Sequence, residues 1–312
     1  MKTVRLLFGF LLIAVWGLVA CAPVRAGGGQ AQGAIRVLAV ETFLADIAQN
    51  VAGDRIKVES LMPIGVDPHA FNPTPQDVRK VAESDVLILN GAGFEEFAQK
   101  MLENAGGERL VIEAAAGLTM RTREAEHDES GGEHLHAGDP HFWLDPLSVV
   151  KYVENIRDGL IAADPAGREV YTQNAAAYIA QLNDLHAWIE TQVAQIPPER
   201  RVLVTDHDTL GYFADRYGFT VLGAIIPNVS SGASPTAQEM AQLIDQVKSS
   251  GAPAIFVESI SSPQLANQVA AETGAKVVTD LYTHSITAPD GKAPTYITMM
   301  RHNVETMVAA LK

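Results

Sequence analysis

Two Asp-Pro-His motifs place a histidine directly after a rigid turn. The first is Asp67-Pro68-His69, within GVDPHAFNPTP, and the second is Asp139-Pro140-His141, within DPHFWLDP. Proline fixes its own φ and biases the preceding residue toward extended backbone, so such a turn holds the next imidazole at little entropic cost on binding. Because neutral imidazole is the commonest metal ligand, His69 and His141 are candidate ligands.

Two further candidates follow predicted strands in the second half of the chain. His207 comes directly after RVLVTD, and Asp280 follows KVVT. In open parallel sheets, ligands bind beyond the carboxyl ends of the strands. Three imidazoles and one carboxylate would complete a four-coordinate site for zinc, or for manganese. Taken singly, each residue has a plainer interpretation as a solvated histidine, a helix cap or a turn residue.

Eight short β-branched runs alternate with helical patterns and predict the sheets that position these side chains. They occupy residues 35–40, 56–62, 85–91, 109–114, 201–206, 219–226, 254–259 and 276–282. This alternation is typical of βαβ units. It predicts an α/β fold with two lobes, each a four-stranded, mostly parallel sheet flanked by helices.

A purely helical stretch, residues 146–196, separates the two sets of strands and is broken once at Asp164-Pro165. Its second part has apolar residues at helical spacing over some thirty residues, which predicts a long, rigid connecting helix. We therefore predict an N-terminal metal-binding lobe at 35–163, a linker helix at 164–197 and a C-terminal metal-binding lobe at 198–312.

The N-terminal segment predicts export and lipid anchoring. Lys2 and Arg5 precede an apolar run that ends at Cys21, the only cysteine, and the run is too short to span a bilayer comfortably. Residues 1–20 are typical of a signal peptide, and the residues before Cys21 resemble the bacterial lipobox, in which that cysteine is lipidated. Residues 21–34 would tether an extracytoplasmic protein to the cell membrane. The alternative is a plain secretory signal with an incidental cysteine.

The formal net charge is −14, which argues against nucleic acid as a partner because that would demand a basic surface. With its single thiol assigned to the lipid, the mature chain has no disulfide and no thiolate metal site.

Several stretches of the sequence, including both Asp-Pro-His motifs, resemble the metal-binding lipoprotein family, the solute-binding components of bacterial ABC importers for zinc and manganese. The resemblance covers residues 35–311, and its matching stretches are 65–95, 139–146, 205–219, 230–244 and 258–278. It implies two lobes joined by a stiff helix, one metal ion in the cleft between them, and an ABC permease with its ATPase as partners. We expect a monomer.

The resemblance also implies the ligand set. His69 matches the first ligand, His141 the second, His207 the third and Asp280 the fourth. Manganese-preferring members resemble the third stretch with a glutamate, so an imidazole there favours Zn²⁺, with Mn²⁺ as the alternative. Three other histidines are interpreted as structural or surface residues: His186, His284 and His302.

An acidic, histidine-rich segment at 124–141 precedes the second ligand and contains His127, His134 and His136. Zinc-specific members of the family often carry a longer loop of this kind, so these histidines are candidate accessory ligands that gather zinc. The alternative is an ordinary solvated loop.

Four protein ligands favour binding over catalysis, because a catalytic zinc usually keeps one position open for water. No His-Glu-x-x-His motif is present, and we predict no catalytic residue. The alternatives are a secreted zinc-dependent hydrolase with Glu258 as its base, or a surface adhesin with a structural metal. We interpret Glu258 instead as lining the cleft beside the ligands.

Overall fold

The computed structural model describes residues 35–121, 138–226 and 234–312. The predicted signal peptide, the tether with Cys21, and the loop histidines His127, His134 and His136 lie outside these ranges. Within the described part of the chain, no helix combines the length and apolar character needed to cross a membrane.

The first sheet is parallel and lies between helices of the first half of the chain. Its strands are β1 (Val37–Ala39), β2 (Val58–Ser60), β3 (Val86–Leu89) and β4 (Leu110–Glu113), in the order β2-β1-β3-β4. The accompanying helices are α1 (Thr42–Ala52), α2 (Pro75–Glu83) and α3 (Ala98–Ala105). The central strands β1 and β3 are buried at every position, which explains their continuous apolar sequences.

The second sheet repeats this arrangement. Its strands are β5 (Val202–His207), β6 (Thr220–Ile226), β7 (Ala254–Glu258) and β8 (Lys276–Leu281), in the order β6-β5-β7-β8, and all are parallel. The helices are α6 (Gly211–Tyr217), α7 (Ala237–Ser250), α8 (Gln264–Thr273) and α9 (Tyr296–Leu311). The predicted α/β class, with four strands in each of two parallel sheets, is confirmed.

The helical stretch between the sheets forms α4 (Pro146–Ala163) and α5 (Arg168–Val193), separated by a short turn at Pro165–Gly167. The 26 residues of α5 give a length of about 39 Å at a rise of ~1.5 Å per residue. This helix packs against α4, α1 and α9, so it contacts helices of both halves of the chain. The predicted long connecting helix is confirmed, and the lobe boundaries at 163 and 197 stay a prediction.

Aromatic residues join the segment after His141 to the segment after β8. The indole Nε1 of Trp143 donates to the Thr283 carbonyl at 2.6 Å, and the Tyr296 hydroxyl donates to the Trp143 carbonyl at 2.7 Å. Trp143 and Tyr296 are fully buried in the largest hydrophobic cluster, which contains residues from both sheets. The backbone around the candidate ligands is therefore anchored in the core.

Asp46 of α1 is a mostly buried carboxylate that accepts the Tyr296 backbone N–H at 2.8 Å. Burial raises its pKa from 3.8 to about 6, although the N–H donor opposes the shift. Because the folded state binds this proton more tightly than the unfolded state, the contribution of Asp46 to stability falls as the pH rises from about 4 to about 6.

We expect Asp46→Asn, whose amide oxygen can still accept from Tyr296, to raise the free energy of unfolding by about 1–3 kcal/mol at pH 7.5 and by little at pH 4. Urea denaturation at the two pH values measures the difference. Asp184→Asn, on the exposed face of α5, is the matched control and should change neither value. If Asp46→Asn raised the free energy of unfolding equally at both pH values, the explanation by a buried carboxylate would be contradicted.

Candidate metal centre

Four histidines converge at the carboxyl ends of the two sheets: His69, His141, His207 and His284. Each offers one ring nitrogen, and these four nitrogens all lie within 4.8 Å of one another. The Nε2 atoms of His69 and His141 are 3.3 Å apart. Two nitrogens bound to one tetrahedral zinc at roughly 2.0–2.1 Å would be separated by about 3.3 Å. This pair therefore already has the spacing of one edge of a zinc tetrahedron.

The two Asp-Pro-His motifs fold in the same way. In the first, the Asp67 carboxylate accepts the backbone N–H of His69 at 2.9 Å, within a short turn at Pro68–Ala70. In the second, the Asp139 carboxylate accepts the backbone N–H of His141, also at 2.9 Å. In both motifs an aspartate fixes the turn that presents the histidine two residues later, which is a common role for aspartate.

The other two histidines come from strand ends of the second sheet. His207 is the last residue of β5, and His284 lies three residues after the end of β8. Parallel strands bring their carboxyl ends to one edge, so both side chains reach the same site. His207 and His284 are 1% exposed, and His141 is fully buried, whereas His69 is partly exposed.

Two of the four imidazoles have a buried carboxylate hydrogen-bonded at Nδ1. The nitrogen-to-oxygen distances are 2.8 Å for His141–Asp139 and 2.9 Å for His284–Glu258. Asp206 lies 3.4 Å from Nδ1 of His207, which makes no hydrogen bond to any described residue. A carboxylate at Nδ1 holds the proton there and leaves the Nε2 lone pair for a metal, an arrangement that is usual around metal-binding histidines. The carboxylates therefore orient the rings and supply negative charge near a bound cation.

Glu258 is held in the interior by several donors. It accepts the backbone N–H of Thr283 at 3.1 Å and that of His284 at 2.8 Å, together with the Thr283 hydroxyl. Burial raises the pKa of Glu258, but His284, His207 and the hydrogen bonds lower it well below its ordinary value overall. Glu258 is therefore an ionised carboxylate that fixes His284, which agrees with the interpretation that it lines the cleft.

The histidines differ in proton affinity. Burial, followed by the charges of the other three imidazoles, lowers the pKa of His69 far below its ordinary value. Burial also lowers the pKa of His207, but Asp206, Glu258 and Asp67 raise it above its ordinary value overall. Since a metal binds only neutral imidazole, the lowered pKa of His69 favours its metal-binding form, whereas the raised pKa of His207 makes protons stronger competitors for that ring.

Two buried nitrogens face the centre without a partner. Nε2 of His207 and Nε2 of His284 make no hydrogen bond to any described residue. Leaving a buried polar atom unpaired costs about 1–3 kcal/mol. Coordination to a cation would satisfy both atoms, so these residues fit a metal ion.

Asp280 does not lie in this group, and its assignment as the fourth ligand is corrected. Strand β8 continues to Leu281, so Asp280 is still within the strand, and its side chain points away from the face that buries Leu281. Its carboxylate is 2.6 Å from Lys292 Nζ and 3.3 Å from His302 Nε2, and it is 37% exposed. His284, predicted from the sequence to be a structural or surface residue, takes the fourth place in the group.

His186 and His302 lie outside the centre. Nδ1 of His186 is 3.1 Å from the Tyr217 hydroxyl, and Nε2 of His302 is 2.9 Å from the Asp280 carbonyl oxygen. Both rings therefore serve local packing and hydrogen bonding.

Two parallel α/β sheets, a long connecting helix and a four-histidine centre at the strand ends define a two-lobed metal-binding protein. A family model described as zinc-uptake complex component A, periplasmic, matches residues 37–310. The chain belongs to this family. Its members are binding components of metal-uptake systems, so the protein is a transport component and not an enzyme.

Individual relatives are similar over nearly the whole chain. The manganese-binding lipoprotein MntA of Halalkalibacterium halodurans is 34% identical over 308 residues, which cover 98% of this chain and 99% of that protein. The iron-binding protein YfeA of Yersinia pestis is 33% identical and covers 87% of this chain and 85% of its own. The solved structure of the periplasmic zinc-binding protein TroA from Treponema pallidum has a TM-score of 0.78 at 28% identity and covers 89% of this chain and 99% of its own.

Proposed function

We propose that the protein captures one zinc ion between its lobes and delivers it to an ABC importer. The observation that carries the proposal is the convergence of four imidazole nitrogens within 4.8 Å. Mn²⁺ prefers oxygen ligands, and imidazole binds Zn²⁺ more tightly than Mn²⁺. The relatives are named for manganese, iron or zinc, so their names do not decide between these metals. The four-imidazole donor set supports zinc, with Mn²⁺ as the alternative.

The arrangement suits reversible capture. Four protein ligands close the tetrahedron and leave no position for a reactive water. His69 and His141 come from the first lobe, and His207 and His284 come from the second. Separation of the lobes would therefore remove two ligands at once, which provides a route for release to the permease.

The rest of the proposal rests on sequence. We propose that Cys21 carries a lipid after removal of residues 1–20 and holds a monomeric protein on the extracytoplasmic side of the membrane. The permease and its ATPase are the proposed partners. His127, His134 and His136 stay proposed accessory ligands.

We expect purified residues 22–312 to bind one zinc ion per chain and to release a proton on binding. Only neutral imidazoles bind the metal, so any proton carried by an imidazole of the centre is released on binding, and the release declines as the pH rises. Burial lowers the pKa of His207 but Asp206 raises it above its ordinary value overall, which adds to this release. Calorimetric titration in two buffers of different ionisation enthalpy gives both the stoichiometry and the proton count. His302→Gln is the control and should match the wild type. A titration without stoichiometric zinc would refute the proposed function.

A further inference from the structure

An arginine joins the lobes beside the metal centre. Arg121 follows β4 in the first lobe, and Asp215 lies on α6 in the second. Nε of Arg121 donates to Asp215 Oδ2 at 2.6 Å, and Nη2 donates to Oδ1 at 3.3 Å. Bidentate pairs of this kind are geometrically specific. The guanidinium therefore fixes α6, which begins four residues after His207, to the first lobe.

The Arg121 guanidinium is also connected to His141, a proposed metal ligand, through the carboxylate of Asp139. Nη1 of Arg121 is 3.4 Å from Asp139 Oδ2, and Asp139 is 2% exposed. The other oxygen of Asp139, Oδ1, is 2.8 Å from Nδ1 of His141 and accepts its backbone N–H. A shift of Arg121 would therefore be transmitted to the His141 ring.

Tyr212 completes the connection. Its hydroxyl accepts the backbone N–H of Arg121 at 2.9 Å and donates to the Asp139 carbonyl at 2.7 Å. The Tyr212 ring packs on Phe142 with 4.5 Å between centroids. A Cβ atom on Gly211 would lie 1.8 Å from Nη1 of Arg121. The lack of a side chain at Gly211 therefore leaves room for the Arg121 guanidinium at the start of α6.

We propose that Arg121 is a positioning residue for metal retention: through Asp139 it orients His141, and through Asp215 it holds the second lobe against the first. We name Arg121, Asp139, Tyr212 and Asp215 the arginine clamp. This inference rests on the proposed function, in which each lobe supplies two of the four ligands. Metal leaves when the two pairs of histidines separate, so the clamp slows release.

The test is the rate at which the zinc-loaded protein loses zinc to excess chelator, followed by stopped flow. We expect Arg121→Gln to release zinc about 10–100 times faster, the range for partners of metal-bound histidines. Arg121→Lys should restore part of the loss, because an ammonium can contact one of the two carboxylates. Asp215→Asn should also accelerate release, although it leaves the contact between Asp139 and His141 intact.

The matched control is Arg55→Gln. Arg55 forms a bidentate pair with Asp164, in which Nη2 donates to Oδ1 at 2.9 Å, and both residues precede α5, so this pair does not join the lobes. We expect this variant to melt at a lower temperature and to release zinc at the wild-type rate. Equal release rates from Arg121→Gln and Arg55→Gln would overturn the clamp while wild-type binding still supports the proposed function. A wild type that binds no zinc would overturn both.

Discussion

In a His284→Ala variant we expect the affinity for zinc to fall by at least ~100-fold. This exceeds the loss of about 10–100-fold that is typical when a residue hydrogen-bonded to a metal ligand is removed, because here the ligand itself is removed. His284 brings a buried Nε2 that no other described residue satisfies, and Glu258 holds its ring from the opposite side. Without this imidazole, three protein ligands remain and water takes the fourth position. Competition with a chromogenic chelator of known affinity measures the loss.

Asp280→Ala is the matched comparison, because Asp280 is the ligand that the sequence alone predicts. Its carboxylate belongs to a partly exposed pair with Lys292, and such pairs contribute about 0–1 kcal/mol. We expect zinc affinity within about threefold of the wild type, since no ligand is lost. Loss of binding in Asp280→Ala with retention in His284→Ala would reinstate the sequence-based ligand set.

Folding of the His284 variant needs its own check, because the change leaves the Glu258 carboxylate buried with one partner fewer. His284→Asn keeps a side-chain N–H for Glu258 and removes the imidazole. Both variants should show the wild-type circular dichroism spectrum, and both should lose tight zinc binding. A folded His284→Asn that binds zinc as the wild type does would exclude His284 as a ligand.

The sheets could be predicted because buried parallel strands give apolar runs that a single sequence displays. The fourth histidine of the centre was missed, because the choice between Asp280 and His284 depended on where β8 ends. The polar Asp280 resembles a strand end, yet Leu281 continues the ladder and pairs with Glu258 of β7. A signal for His284 was present: it follows the strand as His207 follows β5, in a connection that should carry ligands.

The clamp was beyond prediction for another reason. Arg121 and Asp215 are 94 residues apart and belong to no local motif, so only the packing of α6 brings them together. The pairing of Glu258 with His284 is likewise a tertiary contact across 26 residues. By contrast, the Asp-Pro-His turns are local in sequence, and the hydrogen bonds that Asp67 and Asp139 accept from the histidine backbone N–H groups follow from backbone geometry.

The metal preference of the centre should depend on its third ligand. In His207→Glu we expect the ratio of zinc affinity to manganese affinity to fall by at least ~10-fold, because a carboxylate oxygen replaces an imidazole nitrogen and oxygen suits Mn²⁺ better. Zinc and manganese competition on the same protein sample measures the ratio. His302→Glu adds the same charge outside the centre and should leave the ratio unchanged.

The absolute affinities separate two effects of this substitution. The new carboxylate would lie beside Asp206 and close to the ionised Glu258. These carboxylates repel one another in the metal-free site, and their combined negative charge attracts any divalent cation, whichever metal binds. Such electrostatic effects act alike on two divalent ions and cancel in the ratio. A ratio equal to that of the wild type would therefore show that the third ligand does not set selectivity, whereas a fall carried by zinc alone would assign selectivity to the His207 nitrogen.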